Sequence, residues 1–423
     1  MVLFRPHRVT VWCSLAASTI SPKTYFHHTQ TRIARRLEWP AKSTIQVQGQ
    51  RHARLFHSEG GRRGTEHRQP FDILYFGRDD FSCRTLDHLH SARDVWRSIH
   101  IVTNPDVKRG RRGAELSVSP LKTLGQSLGL PVHTIPREKA AFKHWVVRPP
   151  SSPFLRQPEL PLSPPSNHLL ITASFGRILP SSLLRLFPSG QCLNVHPSLL
   201  PAYRGAAPIQ HALIRGEKRT GVCVIEMMER KNGIDAGGIW KQDDVAVSEN
   251  ADFASLRDIL AHRGGALLVS VLREMLSGTA TRTPQDPAVA ALSPRAPAIT
   301  ADDALVDFTC MTAEEIIRRD RAIGHQKPLT TYLPSGKSIQ LHALSVYDPK
   351  SSPSVPLPPL AIAHYHAPSR TLLIQCAQDT YLSVAQIKQQ DRALLGARDW
   401  FNGVKGKIGV DFAEGGVRLV STT

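Results

Sequence analysis

Asn194 and His196 stand two positions apart in Cys192-Leu193-Asn194-Val195-His196-Pro197. On a β-strand, residues so spaced project to the same face. Pro197 cannot continue a hydrogen-bonded ladder, so the strand ends there. Open α/β sheets bind ligands beyond the carboxyl ends of their strands. An amide and an imidazole at such a mouth can stabilise a developing oxyanion and carry a proton. A structural histidine at a strand end has the same appearance, so the flanking residues decide. Ser198-Leu199-Leu200-Pro201 is a tight loop with free backbone groups, and Arg204-Gly205-Ala206-Ala207-Pro208 leads into a helix. Small residues ahead of a helix let N–H groups approach a ligand. Asp235, in Gly233-Ile234-Asp235-Ala236-Gly237-Gly238, is an acid on a loop built for close approach. Taken alone it would be an ordinary turn aspartate.

These residues need a sheet to hold them. Phe71–Phe76 reads as a buried first strand ending at Gly77, with Ser82 as the cap of the helix that carries Leu86 and Leu89. Further strands are expected at Ile99–Thr103, Leu130–Ile135, His168–Ala173, Gln191–His196 and Thr220–Met227, with a helix opening at Ser119-Pro120. Strands alternating with helices imply a parallel sheet with crossover helices, a Rossmann-like α/β domain. Gly77 stands alone in Phe76-Gly77-Arg78-Asp79-Asp80, without the GxGxxG run of a dinucleotide site, so a nicotinamide cofactor is not expected. The Pro/Ala-rich segment 284–300 marks a linker. Beyond it, a helix at Thr312–Ala322 and strand-like runs at Ile339–Leu344, Thr371–Cys376 and Tyr381–Val384 indicate a smaller β-rich, barrel-like domain over 301–423. The first domain is then 70–283.

The chain has 423 residues and a formal net charge of +18. Residues 1–70 hold 12 Lys and Arg against 3 Asp and Glu, half of that excess. Arg5, Arg8, Lys23, Arg32, Arg35 and Arg36 all precede the first acid, Glu38. An Arg-rich, acid-poor start is the composition of a mitochondrial transit peptide, here assigned to 1–69. A basic arm that binds RNA has the same composition. The six cysteines are scattered, with no CxxC pair, which points to neither a zinc site nor a disulfide framework. No apolar run approaches the length of a membrane span. The remaining positive charge suits a polyanionic partner.

With these residues in view, the sequence resembles the methionyl-tRNA formyltransferases. The matching runs are Ala173–Pro180, Asn194–Pro201, Arg204–Gln210, Gly233–Gly237 and Pro284-Gln285-Asp286. The Asn-x-His-x-Ser-Leu-Leu-Pro run with a later Asp belongs to folate-dependent formyltransferases at large. Arg204-Gly-Ala-Ala-Pro-Ile-Gln210 favours the tRNA enzymes. The resemblance implies formyl transfer from 10-formyltetrahydrofolate to the amino group of methionyl-tRNA in the mitochondrial matrix, with the initiator tRNA and a folate as partners. It implies no metal, no membrane and a monomer. The catalytic trio would be Asn194, His196 and Asp235. Folate contacts would fall on Ser198, Leu199, Leu200 and Pro201 and on Phe175, Gly176, Ile178 and Leu179. The basic run Lys108, Arg109, Arg111 and Arg112, together with Arg204, would hold tRNA. Formyl transfer to a glycinamide ribonucleotide or an amino sugar, and a non-catalytic RNA-binding relative, are the alternatives.

Overall fold

The structure, a computed structural model, describes residues 69–109, 115–143, 145, 154, 165–351, 357–407 and 410–421. The segment read as a transit peptide, up to residue 68, and Arg111 and Arg112 lie outside the described residues.

Every residue of β1 (Phe71–Phe76) is buried, as an apolar strand covered on both faces must be. Its one charge, Asp72, accepts hydrogen bonds from Arg97 Nε at 3.0 Å, Ser98 Oγ at 2.6 Å and Asn167 Nδ2 at 3.1 Å. Burial pushes this carboxyl up, and the hydrogen bonds and the Arg97 charge more than offset it, leaving it below its ordinary range. The chain continues through α1 (Asp80–Ser91), β2 (Trp96–Thr103), a hairpin of β3 (Val107–Arg109) and β4 (Glu115–Ser117), α2 (Pro120–Ser127) and β5 (Val132–Thr134). α1 is capped by Asp79 rather than Ser82. Ser82 is the third helical residue, and its hydroxyl accepts the Asp79 N–H to complete a capping box. After α3 (Lys139–Lys143) come β6 (His168–Ala173), α4 (Ser181–Leu184) and β7 (Cys192–His196). Then follow β8 (Arg204–Gly205), α5 (Pro208–Ile214), β9 (Arg219–Glu226), β10 (Ile239–Ala246) and the long α6 (Phe253–Ser277).

The first sheet has the order β10-β9-β7-β6-β1-β2-β5. The strands from β5 to β7 are parallel, while β9 and β10 run antiparallel. From β1 the chain first builds outward through β2 to β5, then crosses to β6 on the other side. This reversal opens a crevice at the carboxyl ends of β1 and β6. The ends of β6 and β7 therefore deliver their side chains to one place.

The connecting segment 284–300 is folded, not slack. It contains α7 (Pro287–Leu292), capped by the Asp286 side chain, and β11 (Arg295–Ala296), which pairs with β8. Next, α8 (Ala313–Ile323) starts in a capping box of Thr312 and Glu315 and packs on α5. The second sheet comprises β12 (Thr330–Tyr332), β13 (Ser338–Tyr347), β14 (Ile362–His366), β15 (Thr371–Gln375), β16 (Tyr381–Gln389), β17 (Leu394–Gly396), β18 (Phe412–Ala413) and β19 (Gly416–Arg418). All its strand pairings are antiparallel. Tyr332 at one edge and Val420 beyond the other exchange backbone hydrogen bonds, each 2.9 Å, so the sheet curls back on itself. Helix α9 (Ala397–Val404) plugs it with Trp400, which is almost fully buried. The expected class, a Rossmann-like parallel-sheet domain followed by a smaller β-rich, barrel-like one, is the class observed. Among the described residues no helix is long and apolar enough to cross a membrane.

Candidate active site

Thr172 on β6 and Asn194 on β7 are register partners. The Thr172 hydroxyl donates to Asn194 Oδ1 at 2.7 Å. With its oxygen so occupied, the Asn194 amide must present its nitrogen to the cleft. That nitrogen lies 3.5 Å from Asp235 Oδ1. His196, two residues on, is buried, and its Nε2 lies 3.1 Å from the Tyr203 carbonyl oxygen. A carbonyl can only accept, so Nε2 carries the proton. In the neutral ring Nδ1 is then the basic nitrogen. It lies 3.8 Å from Asp235 Oδ2, too far for a direct hydrogen bond.

Asp235 sits at φ +53°, a left-handed conformation uncommon for a residue with a side chain. The surroundings hold it there. The Gly205 N–H donates to Asp235 Oδ2 at 3.0 Å. From the other side, Gln285 Nε2 donates to the carbonyls of Asp235 and Gly237, both at 2.8 Å. Two glycines permit this arrangement. A Cβ on Gly205 would come within 2.2 Å of the Ala296 carbonyl oxygen, and one on Gly237 within 1.9 Å of the Glu226 carbonyl oxygen. The pairing of β8 with β11 thus fixes the N–H that holds the carboxylate.

The three side chains line a cleft of about 600 Å³. Phe175, Gly176, Ile178 and Leu179 form one wall, and Met227 and Met228 with the loop that carries Asp235 form another. The residues Ser198, Leu199, Leu200 and Pro201, expected to contact folate, do not line the cleft. Ser198 is fully buried with its hydroxyl donated to the Ala202 carbonyl at 2.8 Å. Leu199 packs over Gly221, and Leu200 joins Cys223 and Ile225 in a small apolar cluster. The turn folds these side chains away beneath β9, so they brace the end of β7. Arg204 is likewise committed within the protein. Its Nε donates to Gln285 Oε1 at 3.0 Å, which orients the glutamine that holds Asp235 and leaves the guanidinium a scaffold group rather than a free phosphate contact. Lys108 is exposed on the β3–β4 hairpin, outside the cleft lining. The described residues contain no cluster of three or more His, Cys, Asp and Glu side chains that could hold a metal, and the five described cysteines are free.

Residues 72–272 match the Formyl transferase family, and residues 298–405 match the Formyl transferase C-terminal domain. A methionyl-tRNA formyltransferase of Halalkalibacterium halodurans is 31% identical over 344 residues, spanning 81% of this chain and 98% of that protein. One from Syntrophus aciditrophicus is 35% identical over 271 residues, 64% of this chain and 78% of its own. The mitochondrial methionyl-tRNA formyltransferase of Rattus norvegicus is 31% identical over 344 residues, 79% of this chain and 78% of its own. The chain belongs to the methionyl-tRNA formyltransferase family. It is a formyltransferase, and its cleft is to be read as the site of one-carbon transfer.

Several residues of the formyltransferase site escaped the sequence. Thr172 was visible as the lone hydroxyl in Leu169-Leu170-Ile171-Thr172-Ala173, but only strand register shows that it orients Asn194. Tyr203 acts through its carbonyl, which no residue type announces. Its side chain is also fixed, by a hydrogen bond to Glu217 and a place beneath the Arg215 guanidinium. Gln285 lies 50 positions from Asp235 in the chain and reaches it only through the fold of the connecting segment.

If this geometry carries the chemistry, Asn194→Ala and His196→Ala each lower kcat for formyl transfer by about a hundredfold. Gln285→Ala acts only through the position of Asp235 and lowers kcat by about tenfold. Steady-state kinetics beside thermal unfolding checks both. Wild-type turnover in His196→Ala would remove the imidazole from the reaction.

Proposed function

We propose that this formyltransferase moves the formyl group of 10-formyltetrahydrofolate onto the amino group of methionyl-tRNA, for initiation of translation in the mitochondrial matrix. The convergence of Asn194, His196 and Asp235 at the end of β7 is the observation that carries the reading. The relatives that span most of their own length on this chain bear that enzyme's name, one of them mitochondrial. The wall of Phe175, Ile178 and Leu179 suits a flat, largely apolar ring system, and the cleft volume suits a folate-sized ligand. When bound, the folate supplies an activated formyl group on a nitrogen that can leave.

The chain's own groups then have these roles. The uncharged amine attacks the formyl carbon, a new C–N bond forms, and the carbon–folate nitrogen bond breaks. The Asn194 amide donates to the oxyanion that develops on the formyl oxygen, a contribution worth roughly 3–4 kcal/mol of barrier. His196 Nδ1 accepts the proton released by the amine and returns it to the leaving nitrogen. Asp235 stabilises the imidazolium between those two events. The Tyr203 carbonyl keeps Nε2 protonated throughout, so that Nδ1 is always the atom that exchanges.

In this reading Lys108, Arg109, Arg111 and Arg112 grip the acceptor stem, since the hairpin follows β2, whose carboxyl end faces the same crevice. Residues 1–69 serve as the import signal, the domain over 70–283 is catalytic, 284–300 joins it to the second, and 301–423 contributes tRNA contact. The protein acts as a monomer.

The experiment supplies donor labelled in its formyl group and three acceptors: methionyl-tRNA, glycinamide ribonucleotide and an amino sugar nucleotide. Label should appear on methionyl-tRNA alone. Replacing the four hairpin cations with alanine should raise KM for tRNA and leave that for the folate. Label on either other acceptor in preference to tRNA would contradict the assignment. Removing residues 1–57 should leave this activity in vitro and abolish delivery to mitochondria. A truncated protein that still reached the matrix would place the address elsewhere.

A further inference from the structure

The charges that line the cleft do not balance, and the catalytic groups do not use the excess. Its three carboxylates are Asp79, Glu226 and Asp235, and each is engaged. Asp79 accepts from the Ser174 hydroxyl and from the Ser82 N–H. Glu226 is paired with Arg282, and Asp235 is held as described. Four arginines also line the cleft: Arg78, Arg177, Arg230 and Arg257. Arg257 is matched by Asp80 and Asp258, each at 2.8 Å. The other three have no carboxylate within salt-bridge distance among the described residues.

Two of these three share one wall. The Arg78 guanidinium lies over Gly176, so close that a Cβ there would stand 3.0 Å from its Cζ. The next residue, Arg177, has its guanidinium fixed by the carbonyls of Pro136 at 3.1 Å and Arg137 at 3.2 Å. Carbonyl acceptors set its position without cancelling its charge. Two uncompensated cations thus flank Gly176 on the wall that runs from the reacting groups outward. Like charges held near one another favour an anion between them. Guanidinium groups pair best with carboxylate or phosphate through paired hydrogen bonds.

We propose that Arg78 and Arg177 form a tail site that binds the glutamate carboxylates of the folate donor and favours donors extended by further γ-linked glutamates. The inference rests on the folate reading above. With the formyl-bearing nitrogen beside Asn194 and His196, the tail has to leave the cleft, and the wall of residues 175–179 is the side that carries unpaired positive charge. Each added glutamate brings one more carboxylate to that exit. A phosphate of the tRNA acceptor end is also an anion, and the two sources separate experimentally.

The test is calorimetric titration of the full chain with monoglutamyl and pentaglutamyl tetrahydrofolate, for wild type, Arg78→Gln and Arg78→Lys. The wild type should bind the pentaglutamyl form about tenfold more tightly, Arg78→Gln should lose most of that preference, and Arg78→Lys should keep most of it. The preference should also shrink as salt is raised. Wild-type binding that ignores tail length overturns the tail site and leaves the folate reading standing. Failure of both forms to bind overturns the folate reading and the tail site with it. A raised KM for methionyl-tRNA in Arg78→Gln, with tail preference intact, assigns the arginine to phosphate and overturns the proposal.

Discussion

One hydrogen bond holds the centre together: the Gly205 N–H to the Asp235 carboxylate, 3.0 Å long. The residues it joins lie 30 positions apart. It exists because a two-residue strand, β8, pairs with a two-residue strand, β11, from the segment that leaves the first domain. The β11 side tolerates no Cβ on Gly205, and Asp235 reaches its acceptor geometry through a left-handed backbone. Gln285 then secures the same loop from its carbonyls, and Arg204 secures Gln285. Removing any one contact frees the carboxylate from the imidazole. The geometry of catalysis therefore depends on a connection that composition alone describes as a Pro/Ala spacer.

The separation of His196 Nδ1 from Asp235, 3.8 Å, fits the same arrangement. A direct hydrogen bond would commit Nδ1 to the carboxylate. At the observed distance the carboxylate acts by charge, and Nδ1 stays open to a proton from the cleft. The Tyr203 carbonyl does the orienting that a carboxylate performs in a serine-hydrolase triad. Backbone and amide groups thus set the directions, and a single side-chain charge sets the energy.

Much of this was legible in the sequence where local rules apply. Period-two spacing put Asn194 and His196 on one face, and the buried runs at 71–76 and 168–173 are strands with the expected bounds. The repeated glycines around Asp235 marked a close approach. The second domain's strands appeared as short apolar runs, although β13 and β16 extend well past them because half-exposed pairs continue the ladder. What local rules do not carry is direction. The Ser198–Pro201 turn was correctly seen as tight, but its side chains face β9 and not the ligand. Arg204 looked like a phosphate contact, and it is committed to Gln285. Ser82 looked like a cap, and it is the third residue of a box that Asp79 begins. In each case a partner distant in sequence, or three residues away, chose the orientation.

The central claim is that the charge of Asp235, held by Gly205, acts on His196. The substitution Asp235→Asn tests it most directly, because the amide keeps an oxygen for the Gly205 N–H and nearly the same shape while removing the charge. Single-turnover formyl transfer to the amine should slow by about a hundredfold while the melting temperature stays near that of the wild type. An Asp235→Asn enzyme that transfers the formyl group at the wild-type rate would contradict the account.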